Sequence, residues 1–329
     1  GAALGIPIVH ASEIYAAKPG LANYYAHPLF DEFVYTSFDK DTLIIAHSAD
    51  AVGLDVVDET DGNSFHIGSQ VYDSLFRFGY DDTKSWPALA ESYELSEDGL
   101  TWTFHLRQGV KFHDGTDFNA DAVIYNFDRW RYTDHAAHFE SQVFEYYEYM
   151  WFGFDDDSAI TEVEKIDDYT VKFNLSTSLA PFLANLAMDM FAISSPAAIE
   201  AAGEDYGLPS VGCVGTGPFM FNEWVEGDHI TVDAYTDYWG GAPSIDQIIW
   251  RVIPDDSARV LALRAGDIDA LETASAEDVV AAEEDPELYV LARPALNTGY
   301  LAFNYKIEEF NDIRVREAVA HAINREGLV

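Results

Sequence analysis

The stretch Phe139–Phe154, FESQVFEYYEYMWFGF, packs eight aromatic side chains into sixteen residues. Such density offers flat, rigid contact surface with hydroxyls at its edges, suited to gripping a ligand. Tyr146, Tyr147 and Trp151 are the expected cleft-facing members; the competing expectation is that half of the run is core. A second candidate is Ser48–Leu54, SADAVGL, a loop after a short apolar strand. There Asp50 carries a carboxylate able to accept an ammonium group, against the alternative of a solvated loop. Other patterns imitate chemistry. Gly215-Thr216-Gly217 suggests a phosphate loop, but no Gly-Lys-Ser/Thr follows, and Pro218-Phe219 lead into a strand, not a helix. His113-Asp114 lies in a turn made by Gly115. Asp134, His135 and His138 could approach a metal on one helical face, yet no further ligand lies nearby, which favours a solvated loop. Among 58 acidic residues chance carboxylate pairs occur throughout, so no hydrolytic pair can be singled out. Cys213 is the one cysteine; it permits no intrachain disulfide and carries no nucleophile signature. No catalytic residue, metal or cofactor is expected.

The elements that must position these groups interleave along the chain. Asp41–Ala46 reads as a buried strand, and Ser64–Phe78 has apolar residues at helical spacing. Thr101–Leu106 alternates as a strand after the Ser96–Gly99 turn. Asn119 caps a helix running to Trp130. Hairpins are expected at Thr161–Ile166 with Tyr169–Leu175, and at Phe219–Val225 with His229–Ala234. Pro181 opens a helix to about Met188, and Asp255–Ala265 is a helix closed by Gly266. Ile248–Ile253, Ile268–Leu271, Leu288–Ala292 and Tyr300–Asn304 complete the strands. The class is mixed α/β.

At 329 residues the chain has room for about two domains. Its 48% hydrophobic and 14% aromatic content excludes intrinsic disorder. No run of about 18 apolar residues reads as a membrane span. The net charge of −40 excludes a nucleic-acid binder, which needs a basic face to displace counterions from phosphate. It opposes anionic lipid surfaces as well. The acidity is spread along the whole chain, and only seven of the 18 cations are lysine. This pattern suits a protein working in high salt, where a screening length of about 3 Å at 1 M tames self-repulsion.

Gly1–Ala11, GAALGIPIVHA, admits two readings. Val9 and Ala11 stand at −3 and −1 of a cleavage site before Ser12, as at the end of a signal peptide; the alternative is a buried N-terminal strand. Residues 13–40 show no period. At the other end, Val315, Ala318, Val319 and Ala322 share one helical face that expects a packing partner, so the chain reads as cut short.

Five ordered blocks carry a family resemblance. They are ALAESYELSEDGLTWTFHLRQG (88–109) with VKFHDGTDFNADAVIYNF (110–127), VGTGPF (214–219), YWGGAP (238–243) continuing through IDQIIWRVIPDDSARVLALRAGDIDAL to 271, and NTGYLAFN (297–304) followed by NDIRVREAVAHAINREGLV. In order and spacing they resemble the extracytoplasmic solute-binding proteins of ABC importers, in the peptide-binding cluster. LAPFLANLAMDMFAI at 179–193 is most similar to the dipeptide-binding branch.

The resemblance implies a two-lobe periplasmic-binding-protein-like α/β fold with an extra inserted domain. Domain I would be 41–72 plus 205–272, domain II 73–204, and domain III would start at 273 and be mostly absent, with 1–40 as signal remnant and unplaced segment. It implies that the edge after the first strand, Ala49, Asp50 and Ala51, touches a peptide backbone. It also implies that Asn297 and Gly299 lie at the crossover to domain III. The terminal charges of the peptide would be met beyond Val329. The expected function is a monomeric, non-enzymatic receptor outside the cytoplasmic membrane, free or anchored. It would capture short peptides by hinge closure and deliver them to permease subunits. Oligosaccharide, nickel-chelate or haem receptors are alternatives within the family; a hydrolase or a ligand-sensing regulator domain are alternatives outside it. From the charge alone, the unfolding midpoint is expected to fall as KCl is lowered from molar to tenth-molar; an unchanged midpoint would overturn the salt reading.

Overall fold

The structure is a computed structural model and describes residues 5–24, 33–79, 82–271, 279 and 282–324, with the side chains of 5–14 and 292–299 excepted. The larger sheet takes its strands from both ends of the sequence. They are β1 (Gly5–Ala17) and β2 (Thr42–His47) from the first part. Small and inserted strands follow, numbered in turn: β3 (Phe76–Phe78), β4 (Ser85–Pro87), β5 (Ala90–Leu95), β6 (Thr101–Leu106), β7 (Ile160–Asp167) and β8 (Thr170–Leu175). The larger sheet then resumes with β9 (Phe219–Val225), β10 (His229–Ala234), β11 (Gln247–Val252), β12 (Ala270–Leu271) and β13 (Tyr289–Ala302). Its strand order is β13-β1-β12-β2-β11-β10-β9. At its centre β2 is parallel to both neighbours, with Ile45 opposite Trp250 of β11 and Ala270 of β12. The other pairs are antiparallel.

Seven helices of at least one α-turn are described: α1 (Gly62–Val71), α2 (Ala120–Arg131), α3 (Glu145–Trp151), α4 (Phe182–Asn185), α5 (Pro196–Ala202), α6 (Asp256–Ala265) and α7 (Ile313–Ala322). Helix α6 is the crossover that carries the chain from β11 over β2 to β12. Asp255 caps its start through the Ala258 amide, and Gly266 ends it at φ +83°, a left-handed turn that favours glycine.

The inserted sheet has the order β5-β6-β8-β7 and is antiparallel throughout. Its pattern follows from period-two alternation: Trp102, Phe104 and Leu106 of β6, and Val171, Phe173 and Leu175 of β8, point to one buried face. Helix α2 covers that face, with Phe127 edge-on to Phe173 at 4.8 Å. Asn119 caps α2 through the Ala122 amide. One hydrophobic cluster runs continuously from β2 and α1 into this inserted sheet.

Three expectations are corrected. Helix α1 stops at Val71, short of Phe78, and Phe76–Phe78 is a strand. The interruption has a cause: Asp73 is drawn out of helical register to serve as an acceptor. Its carboxylate takes hydrogen bonds from Thr216 Oγ1 (2.9 Å), Tyr238 Oη (3.0 Å) and Trp239 Nε1 (2.8 Å). Burial pushes this carboxyl above its usual range, and the three donors offset only part of that rise. Second, the separate strands expected at 288–292 and 300–304 are one strand, β13, because β1 pairs with it from Gly5–Ala302 to Ala17–Tyr289. Third, part of the segment before residue 41, which the sequence left unplaced, takes a definite place. Residues 5–17 form β1, the strand alternative for the N-terminal apolar run.

The VGTGPF block packs on the end of α1. The Gly217 amide donates to Val71 O at 2.9 Å. A Cβ on Gly217 would stand 2.6 Å from Gln70 O, and one on Gly215 would strike the Val71 backbone oxygen. These glycines are there for close backbone approach, and no flexible atom can yield to a methyl. Gly217→Ala is expected to cost about 1–3 kcal/mol through overpacking, read as a lower urea midpoint. Gly62→Ala, whose Cβ meets nothing within 4 Å, should leave the midpoint near its starting value.

Candidate functional site

In α/β sheets ligands lodge outside the carboxyl ends of parallel strands, where the connections diverge. Here that place is the loop and turn at 48–61, leaving β2 between β11 and β12. The β2 end is closed to its neighbour by Ile253 N donating to His47 O at 2.9 Å.

The loop is tied down almost residue by residue. Asp50 does not stand free for a ligand ammonium. Its Oδ1 accepts from the Trp224 indole (2.9 Å) and from the Ala51 amide (3.0 Å), and its Oδ2 accepts from the Gly227 amide (2.6 Å). Its work is to pin the loop to the β9–β10 hairpin. Ser64 Oγ, on the first turn of α1, accepts from the Val52 and Gly53 amides (3.1 and 3.3 Å), and the Leu54 amide donates to Gly207 O (2.9 Å). Ala51 is buried, while Ala49 is exposed and its amide takes no part in these bonds. Val52 projects its side chain outward, 69% exposed. Of the three loop residues named from sequence, Ala49 is the exposed one.

Beyond Leu54 the chain turns into the inserted part. Asp55 forms a buried bidentate pair with Arg129 of α2, through Oδ1 to Nη1 (3.2 Å) and Oδ2 to Nη2. Gln142 Nε2 also donates to Asp55 Oδ2 (2.9 Å), and Arg129 Nε donates to Ala137 O (2.9 Å). Asp58 Oδ1 accepts from the Val143 and Phe144 amides (2.7 and 3.3 Å). These bonds hold Phe144 at φ +45°, a left-handed conformation uncommon for a bulky residue. The Arg129 guanidinium lies 5.2 Å from the Phe144 ring. Asp55, Asp58 and Arg129 were not singled out from sequence. The available signal was Arg129 itself, a cation between Phe127 and Trp130 on a buried helix face, which demands a partner.

The aromatic run divides differently from the expectation. Tyr147 and Trp151 are fully buried. Tyr147 Oη meets Ser158 Oγ at 3.1 Å, and Trp151 packs on Phe182 (5.4 Å) and Phe191 (5.3 Å). Four residues apart, the two share one face of α3, and that face is the core face. Tyr146 lies off that face, partly buried against Phe65 of α1 with ring centroids 6.1 Å apart. The exposed members are Tyr149 (67%) and Phe152 (60%), which the sequence reading passed over. Asn297 and Gly299 lie in β13, with Gly299 opposite Val9 and the register shifting beside Thr298; their side chains fall outside the described residues.

The lesser candidates have structural employment. His113 Nε2 donates to Gly217 O (2.9 Å), and burial lowers its ring to about 4, so it stays neutral. His138 Nδ1 donates to Arg129 O (2.8 Å). The Cys213 thiol is buried and pushed up to about 12, the protonated form at neutral pH.

Fold and loops together define an α/β binding protein of the periplasmic-binding-protein type. The fold aligns with the ABC transporter-associated periplasmic binding protein of Helicobacter pylori, solved in complex with the peptide STSA, at TM-score 0.67 and 35% identity, covering 74% of this chain and 49% of that one. The dipeptide-binding protein of Escherichia coli (strain K12) is 34% identical over 307 residues, 90% of this chain and 56% of the relative. Heme-binding protein A of Haemophilus influenzae is 35% identical over 280 residues, 82% of this chain and 50% of the relative. The family model described as bacterial extracellular solute-binding proteins, family 5 Middle, matches residues 85–329. The chain belongs to this family of extracellular solute-binding proteins. It spans about half the length of the curated relatives it matches.

Removing one partner of the buried pair strands a charge. Arg129→Ala is expected to cost about 3–5 kcal/mol in urea unfolding, and Asp55→Ala/Arg129→Ala less than the sum of the two single variants. Additive losses would show that the pair does not couple the loop to α2.

Proposed function

We propose that this chain is the ligand-capturing part of an ABC-importer receptor, a binding protein and not an enzyme, and that its ligands are short peptides. One observation carries the reading: a loop at the carboxyl end of β2 tied down by Asp50 and Ser64, with Ala49 exposed beside it. Recognition of a ligand backbone there would tolerate varied side chains. Two similar proteins bear names for dipeptide binding and for a bound peptide, which supports the class.

Haem remains the second reading, because a comparably similar relative is named for it. The exposed Tyr149 and Phe152 would serve a flat apolar ligand better than a peptide backbone.

In the proposed cycle the ligand is enclosed by hinge movement, since closure requires better contacts in the shut state than in the open one. The long β1–β13 ribbon is the proposed hinge element. Its register shifts between Pro7 and Val9 and between His10 and Ser12, and bulges are where paired strands bend. The receptor would work outside the cytoplasmic membrane as a monomer and deliver its cargo to permease subunits. No helix among the described residues is long and apolar enough to cross a membrane.

Mass spectrometry of small molecules released by denaturation, after purification in molar KCl, tests the reading. A ladder of di- to pentapeptide masses is expected. A porphyrin mass with a Soret band would transfer the function to haem, and hexose-spaced masses to sugars.

A further inference from the structure

The turn from Asp55 to Asp61 carries four carboxylates: Asp55, Asp58, Glu59 and Asp61. Three have evident structural employment. Asp55 is paired with Arg129, Asp58 receives two amides of the 143–144 segment, and Asp61 Oδ1 caps α1 by accepting from the Ser64 amide (3.0 Å).

Glu59 is the exception. It is 9% exposed, and no amide, lysine or arginine among the described residues donates to it. Its carboxyl lies against the loop after β2, with Oε1 filling the space that a Cβ on Gly53 would take. Asp61 Oδ2 is buried beside it with no hydrogen-bond partner of its own from an N–H or hydroxyl. The group within its reach is the Glu59 carboxyl, which can donate to it only while protonated. Burial first, then the charges of Asp61 and Asp58, push Glu59 up to about 8. A buried carboxyl with no counter-charge keeps its proton, because the charged form is disfavoured away from water.

Other charged groups do not supply that counter-charge. Asp55 and Asp58 add negative charge on the same turn. Arg129 on α2 is held by Asp55. His66 on α1 sets its ring edge-on to His47 at 5.4 Å. From the segment after α5, Tyr206 brings a phenol raised by burial and bonded to Tyr72 Oη (3.0 Å). Among the described residues no three His, Cys, Asp or Glu side chains converge closely enough to hold a metal ion. Two adjacent carboxyls, of Glu59 and Asp61, offer acceptors to a cation with directional N–H groups.

We propose that Glu59 and Asp61 form the recognition site for an organic cation, the ammonium or guanidinium of the captured ligand; the assignment to a captured ligand rests on the receptor reading above. On binding, the Glu59 O–H bond breaks and its proton passes to solvent. The incoming cation then bridges two carboxylates, and no covalent bond is made.

Calorimetric titration at pH 6 with L-lysinamide, at that pH a dication without a carboxylate, tests this in phosphate and in bis-Tris, whose ionisation enthalpies differ. The expected result is binding with release of about one proton per ligand. Glu59→Gln copies the protonated acid in shape, so its unfolding midpoint should match the parent. It should bind at least tenfold more weakly and release no proton, with Asp61→Asn weakened likewise. The net charge of −40 attracts any dication, so the proton count and the variants decide. Absent binding, binding without proton release, or equal affinity in Glu59→Gln would overturn the site. Ala-Ala, titrated alongside, separates the two claims. Ala-Ala bound without lysinamide keeps the peptide receptor and removes the cation site; lysinamide bound with proton release but without Ala-Ala does the reverse.

Discussion

The buried pair between Asp55 and Arg129 governs how the two sheets share one loop. Asp55 lies in the loop after β2, three residues beyond Val52, and Arg129 sits on the helix that covers the inserted sheet. Both side chains are almost wholly removed from water. Desolvating two charges is expensive, and their attraction repays it only with good geometry and satisfied remaining donors. Those conditions are met: the contact is bidentate, Gln142 adds a donor to Asp55, and Arg129 Nε reaches Ala137 O. An apolar pair of the same size would pack without dictating direction. The ion pair instead fixes where α2 and the 137–144 segment stand relative to the loop after β2, which is the positional accuracy a binding site needs.

The other ties also gather donors on carboxylates, most of them neutral. Asp73 collects Thr216, Tyr238 and Trp239, so one side chain at the end of α1 fastens the VGTGPF and YWGGAP blocks. Asp269 accepts from Lys40 and from the Ile44 amide (3.0 Å), locking β12 to the edge of β2. Asp50 fastens the β9–β10 hairpin. In a chain with 58 acidic residues and 18 cations, most buried carboxylates must be satisfied by hydroxyl, indole and amide groups, because cations are scarce. Such bonds to a charged acceptor are stronger than neutral ones, and neutral partners leave no net compensation of charge.

Much of the fold was legible because it rests on local signals. The caps at Asn119 and Asp255, the left-handed stop at Gly266 and the 219–234 hairpin are all written in short windows of sequence. The failures were non-local. Nothing around residues 72–74 announces that Asp73 will be called away by residues more than 140 positions later. Nothing in Asn297-Thr298-Gly299 reads as mid-strand until β1 is known to lie beside it. The candidate loop was legible as a region and not in its side-chain contacts. Ser48–Leu54 is at the expected place, yet Asp50 and Ala51 face inward. In α3 the i, i+4 spacing of Tyr147 and Trp151 already marked a core face, a helical argument that outweighs aromatic density.

The contrast among the acidic residues is the most informative feature of the turn. Asp50, Asp55, Asp58, Asp73 and Asp269 each have a donor set that explains both their burial and their position. Glu59 has the burial without the donors, and it lies in the segment that leads from the exposed loop to α1, where the parallel strands open. A buried group without a partner costs stability, and a fold with this many acidic residues on its surface had no shortage of solvent in which to leave one more. Keeping a carboxyl inside, pressed on Gly53 and beside a half-used Asp61, is a local conflict set within an otherwise satisfied network. Conflicts of that kind gather at functional sites, where what is missing from the protein is supplied by what it binds.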